Sequence, residues 1–230
     1  MARNGKDTIV CVDCPFDTGD QQITQFMRAR RDRAGGLYDE LTRRGYKLKK
    51  LLNPTLTELE QAMDDPSVAF LTASGHGSKD GQSFLRNADE DLIHAGRGFY
   101  NRGVFDGKIV HFFACDTARS LGINLSNPDS TGAAVAAFFG YNADFSFAAD
   151  FRKDPGAADL FIDCDSEIDL ALADGLSPQD AHAVGLGAFD RLINQWIADK
   201  SRAELVDLVR KDRLALCLLP AQPKAVSISA

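Results

Sequence analysis

The chain has 230 residues, 44% hydrophobic and 26% charged, enough apolar material for a sizeable core, and it reads as one domain over residues 1–220 followed by a polar tail at 221–230. A net charge of −7 and a pI near 5.1 argue against a nucleic-acid partner, because neutralising a phosphate backbone takes clustered Lys and Arg on an attractive surface; the same acidity suits a basic peptide. No apolar run approaches the ~20 residues of a membrane span and the first ten residues lack an apolar stretch behind a basic start, so the expectation is a cytoplasmic chain that does not engage a membrane.

Residues 7–13, DTIVCVD, predict a buried first strand. Apolar residues at mixed three and four spacing from about 20 to 44, among them Ile23, Phe26, Met27, Leu37, Tyr38 and Leu41, predict one amphipathic helix that Gly45 can end. YKLKKLL supplies a second strand, and Thr55 or Thr57 can cap a short helix through Met63, with Glu58 and Glu60 in its first turn. VAFLTASG (68–75) is the third strand. A polar stretch from Ser78 to Gly107 leaves room for only a short helix or hairpin, and GKIVHFFAC (107–115) is the fourth and most apolar strand. Further on, Thr131 to Phe139 reads as a helix of small residues ended by Gly140, and ADFSFAAD (143–150) as a fifth strand. Ser177, Pro178 and Asp180 open a long helix to about Ile197, Ser201 to Arg210 forms a charged helix, and LALCLLP (214–220) is a sixth strand. This alternation predicts an α/β domain on a largely parallel sheet.

Five cysteines, at 11, 14, 115, 164 and 217, are an odd number without a paired CxxC…CxxC pattern, so they read as reduced thiols and not as a disulfide framework or zinc site. Cys11 lies inside the first strand and Cys14 at its end, which favours burial over a redox role. Cys164, flanked by acids in FIDCDSE, is a poor nucleophile because neighbouring negative charge opposes the thiolate.

Two strands end in reactive residues at what would be the carboxyl edge of a parallel sheet, where α/β folds place their ligand sites. VAFLTASGHGS delivers His76, and KIVHFFACDTARS delivers Cys115, 39 residues later. A thiol beside an imidazole is the minimum apparatus for attack on an amide: the thiolate adds to the carbonyl and the imidazolium protonates the leaving amine. Gly77, having no side chain, lets its N–H approach the developing oxyanion, and the N–H of Cys115 can be the second donor.

The strings His76-Gly77 and Ala114-Cys115, each closing an apolar strand, resemble the clan of caspases, metacaspases, gingipains, separases and CHAT-domain peptidases. FFACDTA is most similar to the CHAT version, as is GLSPQDA at 175–181. The chain departs from metacaspases, with Phe113 where they carry Asp, and it lacks the QAC pentapeptide of animal caspases. The resemblance implies a three-layer α/β/α caspase-like fold with a mainly parallel six-stranded sheet in the order 2-1-3-4-5-6. It also implies a His76–Cys115 dyad, oxyanion donors at Gly77 and Cys115, and no metal or cofactor. By the same resemblance the specificity pocket is walled at the tips of the first strand and of the nucleophile's strand. Those tips carry Asp13 and Asp116 here, which would favour Arg or Lys before the scissile bond.

His111 shares the parity of Phe113 and Cys115 and is expected in or beneath the site, whereas His94 and His182 read as structural or solvent-facing. The acidic stretch Asp159, Asp163, Asp165, Glu167 and Asp169 lacks the glycine and spacing of a calcium loop and reads as a solvated surface. Ser74 with Asp13 and a histidine could form a serine triad, but no G-x-S-x-G elbow is present, and neither nucleotide-binding glycine motif occurs. The expected function is therefore a cysteine endopeptidase acting on a protein or peptide through a thioester, with Arg119, in the polar loop Asp116 to Ser130, as a site of self-cleavage. As in compact relatives, a neighbouring regulatory protein could direct it in bacterial signalling or defence. The alternatives are an idle caspase-like module that holds a basic partner segment, and an acyl-transfer or ligase variant with the same residues.

Overall fold

The computed structural model describes residues 7–15, 30–87, 90–96, 100–128, 132–145 and 155–221. The run TIVCVD forms β1 (Thr8–Asp13), buried along its length. Its alternate residues enter two different cores: Ile9 and Cys11 pack on one side, Val10 and Val12 on the other. A strand apolar on both faces must lie inside a sheet covered twice, which is why no polar alternation is present.

The other strands follow from similar runs: β2 (Lys47–Leu52), β3 (Val68–Ser74), β7 (Ile109–Phe113), β8 (Ala137–Tyr141) and β9 (Leu216–Pro220). They form one six-stranded sheet in the order β2-β1-β3-β7-β8-β9, parallel throughout except for β9, which runs antiparallel to β8. The architecture is the expected α/β fold with helices flanking a mixed, mostly parallel sheet, and its six strands follow the expected order 2-1-3-4-5-6. The edge strand β2 carries Lys47, Lys49 and Lys50 exposed, a charge pattern that discourages pairing with another sheet.

Helices α1 (Leu37–Arg43), α4 (Pro155–Ala173) and α5 (Pro178–Ala198) pack on the core that holds Ile9 and Cys11. Helices α2 (Leu56–Met63) and α3 (Leu121–Ser126) pack on the opposite core. Thr55 closes the start of α2 with a capping box to Glu58, and Ser177 caps α5 through the N–H of Asp180, both as the sequence suggests. Among the described residues no helix is long and apolar enough to cross a membrane.

Four elements differ from expectation. The helix expected over 131–139 is not formed: residues 132–136 are irregular and 137–141 are the strand β8, while 131 lies outside the described residues; AFFGY is buried at every position, so its sequence lacks the periodicity that separates strand from helix. The fifth strand expected at 143–150 is displaced: residues 143–145 are not strand, and 146–150 lie outside the described residues. The single helix expected over 20–44 is broken, since residues 30–32 are helical, Gly35 turns the chain at φ +71°, and α1 starts after Gly36; residues 16–29 lie outside the described residues. The charged helix expected at 201–210 begins as a 3-10 segment over Lys200–Leu205 and becomes α6 (Val206–Ala215). Of the tail, 222–230 lie outside the described residues.

The expected solvated acidic surface is also corrected: it is α4, and Asp165 and Asp169 are buried against the sheet. Both belong to a charge cluster that ties α4 to β3 and β7. Arg30 Nη2 lies 2.6 Å from Asp169 Oδ2, and the guanidinium also donates to the Thr72 hydroxyl. Thr72 donates to Asp169 at 2.7 Å. His111 sits between the two carboxylates, Nδ1 2.9 Å from Asp169 Oδ1 and Nε2 3.2 Å from Asp165 Oδ1, while Tyr141 donates to Asp165 at 2.7 Å. With His111 protonated, two cations face two anions, so the group buries no net charge. Asp159 and Asp163 lie at the helix surface and pair with Arg33.

Burial alone would lower the pKa of His111, but Asp165 and Asp169 outweigh it and raise it to about 9. A histidine that holds its proton more tightly when folded contributes fully below its unfolded value of 6.5 and loses that contribution as pH climbs through 9. Chemical denaturation should therefore show stability falling by on the order of 3 kcal/mol between those pH values, with His111→Gln, less stable throughout, lacking that limb. A wild-type midpoint that stays level over this window would contradict the assignment.

Candidate active site

The strand registers bring the predicted residues to one rim. Asp13 is level with Ser74, and Ser74 with Phe113, at the carboxyl ends of the adjacent parallel strands β1, β3 and β7. His76 lies two residues beyond Ser74, and Cys115 two beyond Phe113. Strands in a sheet are about 4.8 Å apart, so the two exits leave the same edge side by side.

After β3 the chain is turned by contacts that need small residues. The Gly75 N–H donates to the Phe113 carbonyl at 3.3 Å, and a side chain there would strike the Phe84 ring. His76 and Gly77 then form a short strand, β4 (His76–Gly77), against β5 (Ser83–Asn87), which pairs in turn with β6 (Glu90–His94). This is the hairpin the polar stretch has room for, and it fixes the backbone of His76 by pairing with Leu85.

The exit from β7 toward Cys115 is equally constrained. Thr117 Oγ1 donates to the Ala114 carbonyl at 3.0 Å, Asp116 takes a left-handed conformation at φ +56°, and its N–H bonds to the Ala143 carbonyl at 3.2 Å. A non-glycine residue in that region is uncommon and is held there by its surroundings. The two exits are also joined directly: Gly81 O accepts from the N–H groups of Ser120 at 3.2 Å and Leu121 at 2.9 Å. The closest approach is at Gly77, where a Cβ would fall 1.7 Å from the carbonyl oxygen of Cys115. Only glycine allows the His76 segment to lie against the Cys115 backbone in this way.

Cys115 is partly exposed, and its Sγ receives the N–H of Phe145 at 3.2 Å. Burial pushes the thiol pKa up, the Phe145 N–H partly opposes this, and the carboxylates of Asp144, Asp116 and Asp212 push it up further. The resting group is therefore the thiol, and nucleophilic attack requires a base to take its proton. Phe145 is positioned by ring contacts with Phe113 at 4.6 Å and Tyr141 at 4.8 Å, and Tyr141 is anchored on Asp165. The buried charge cluster thus reaches the sulfur through two aromatic rings and one backbone N–H.

Asp13 is 3% exposed, and both carboxylate oxygens are engaged, by Ser74 at 2.6 Å and Tyr38 at 2.8 Å. Burial raises its pKa, with Ser74 and Tyr38 opposing. Asp116 is largely buried and lies 3.4 Å from Arg119, which is exposed. The peptide bond after Arg119 belongs to the hydrogen-bonded turn whose Ser120 N–H meets Gly81, so cleavage at that bond requires the turn to open. Ser74 faces Asp13, with no histidine bonded to either in this arrangement among the described residues. His94 lies in β6 and His182 in α5, the latter with Nε2 3.5 Å from the Leu216 carbonyl and its pKa lowered by burial. Cys11, Cys14 and Cys164 are buried, and burial raises all three thiols, Cys14 and Cys164 to about 12. Among the described residues no three His, Cys, Asp or Glu side chains gather as a metal-binding group.

Phe145, Tyr141 and Arg30 are the residues that sequence reasoning did not bring to the site. For Asp165 and Asp169 a signal exists: Phe161, Asp165, Ile168, Asp169 and Leu172 recur at helical spacing, which places both acids on the apolar face of α4. No known protein-family model and no curated protein sequence matches this chain.

Gly77→Ala should cost about 3 kcal/mol, because the added carbon collides with backbone that cannot yield without moving the Cys115 turn. Gly187→Ala, whose nearest neighbour is an Arg191 side-chain end at 3.5 Å in α5, is the control and should gain stability of about 0.5–1 kcal/mol. Equal denaturation midpoints for the two variants would show that the Gly77 contact has been misjudged.

Proposed function

We propose that this chain is a cysteine endopeptidase of the caspase-like clan, nearest the CHAT-domain group, with His76 and Cys115 as its dyad. The observation that carries the reading is the contact of Gly77 with the Cys115 carbonyl: it joins the two predicted segments at one sheet edge and accounts for the glycine after the histidine.

In this mechanism His76 takes the Cys115 proton as the substrate carbonyl approaches, and the sulfur lone pair forms the C–S bond. The oxyanion is met by backbone N–H groups of Gly77 and Cys115. Collapse of the tetrahedral species breaks the C–N bond, and the His76 imidazolium protonates the departing amine, leaving a thioester. Water, deprotonated by His76, then attacks the thioester and releases the new carboxylate and the thiol. The raised thiol pKa makes the imidazole necessary, since little thiolate would exist without it at neutral pH.

The acidic surroundings support a preference for Arg or Lys before the scissile bond. Asp116 would take the cation, exchanging its contact with Arg119, while Asp13, held by Ser74 and Tyr38, would act through its charge. Self-cleavage after Arg119 remains part of the proposal, with the opening of its turn as the controlling step. All five cysteines are free, which fits the reducing cytoplasm. The rival, an idle module that grips a basic segment, draws support from the same raised thiol pKa.

One experiment separates them. An electrophilic peptide ending in Arg or Lys should modify Cys115, located by mass spectrometry of the digested chain, and Cys115→Ala and His76→Ala should each lower turnover of an Arg-containing peptide at least about a hundredfold while still binding it. Binding without turnover in the wild type would establish the rival, and cleavage confined to Asp or small apolar residues would overturn the proposed preference.

A further inference from the structure

Beside the Cys115 turn lies a cavity of about 590 Å³, open to solvent over much of its face, between the β5–β6 hairpin and α3. That size is within the range of small-ligand and side-chain pockets. Two guanidiniums, Arg102 and Arg119, line it, together with the amide side chains of Gln82, Asn124 and Asn127, and no carboxylate is among the described lining residues. In a chain of net charge −7, a cavity whose only charged side chains among the described lining residues are two arginines runs against the bulk composition.

The two arginines play different parts. Arg102 is held in place before any ligand arrives: Nη1 lies 3.2 Å from Asn124 Oδ1, and Nη2 donates to the carbonyls of Asn127 and, at 3.3 Å, Ala133. A guanidinium fixed in this way loses little freedom on meeting an anion. Arg119 is 56% exposed and its tie to Asp116 is a single contact at 3.4 Å, a weak link at a surface. The same Arg119 packs over Gly81, the residue that fastens the His76 segment to the Cys115 turn.

We infer that this cavity binds a carboxylate side chain of the polypeptide substrate, between Arg119 and Arg102, next to the site that takes the basic residue. Its assignment to a substrate residue rests on the peptidase reading; its affinity for an anion does not. The two sites are coupled through Asp116. A basic substrate side chain that occupies Asp116 releases Arg119, which then has its full charge to offer to the neighbouring cavity. The preferred segment therefore carries a basic residue with an acidic one close by in sequence.

The test uses the full chain with Cys115→Ala, so that nothing is cut, and two labelled peptides: one Arg flanked on both sides by Gly-Glu-Glu, and the same peptide with Gln for every Glu. The overall negative charge of the protein favours the Gln peptide, so only a local site can reverse the order. Fluorescence anisotropy should show the Glu peptide binding about tenfold more tightly, the preference disappearing with Arg119→Gln and shrinking with Arg102→Lys. Inorganic phosphate is the competitor: displacement of the Glu peptide marks a general anion site, and no displacement marks one that requires the carboxylate on a chain. Equal affinities, tighter binding of the Gln peptide, or a preference that survives both substitutions would overturn the inference. Turnover by the wild type is read separately. Preference for Glu with neither peptide cut would sink the peptidase reading and leave the anion site, whereas cleavage of both peptides at equal affinity would do the reverse.

Discussion

The approach of Gly77 to the carbonyl oxygen of Cys115 is the constraint on which the rim of this molecule depends. Parallel strands deliver their ends to a common edge, but they do not by themselves bring the following residues into contact. Here that is done by a residue without a side chain, by a hairpin that pairs with His76, and by the N–H groups of Ser120 and Leu121 on Gly81. Each contact is between backbones, which are stiffer than side chains. The arrangement is therefore set before any ligand binds, the condition under which positioned groups lower a barrier most.

Beneath the rim, the sheet carries an unusual load for its core: a guanidinium, an imidazolium and two carboxylates, all buried. Such a group is costly to desolvate and is tolerated because its charges cancel and both oxygens of Asp169 and one of Asp165 accept hydrogen bonds or face His111. Its reach toward the sulfur, through Tyr141, Phe145 and the Phe145 N–H, gives the charged core a bearing on the site above it. Asp144, Asp116 and Asp212 oppose the thiolate, while the Phe145 N–H favours it. The Cys115 thiol is thus held in its neutral form, so any reactivity at this sulfur depends on a proton acceptor.

Much of this was legible in the sequence where local chemistry decides the structure. The runs VAFLTAS and IVHFF are apolar, short and bounded by glycine, and they form strands; Thr55 with Glu58, and Ser177 with Asp180, cap helices where they should. The approach of His76-Gly77 to the Cys115 turn follows from two strings 39 residues apart because strand ends in a parallel sheet share an edge. AFFGY, by contrast, reads as the end of a helix of small residues because a segment buried on all sides lacks periodicity, and only its place between β7 and β9 makes it a strand. Asp165 and Asp169 read as solvated because their partners, Arg30 and His111, lie far away along the chain. Long-range pairing of buried charge leaves no local mark except the helical spacing of the acids themselves.

The central claim is that His76 accepts the proton of Cys115. The most direct measurement is the pH dependence of Cys115 alkylation by iodoacetamide in the intact protein, compared between the wild type and His76→Ala, with the other thiols buried or scored separately by mass spectrometry. The account predicts a low-pH inflection in the wild type that His76→Ala lacks, with a rate at neutral pH lower by about a hundredfold in the variant. Superimposable profiles for the two proteins would contradict it.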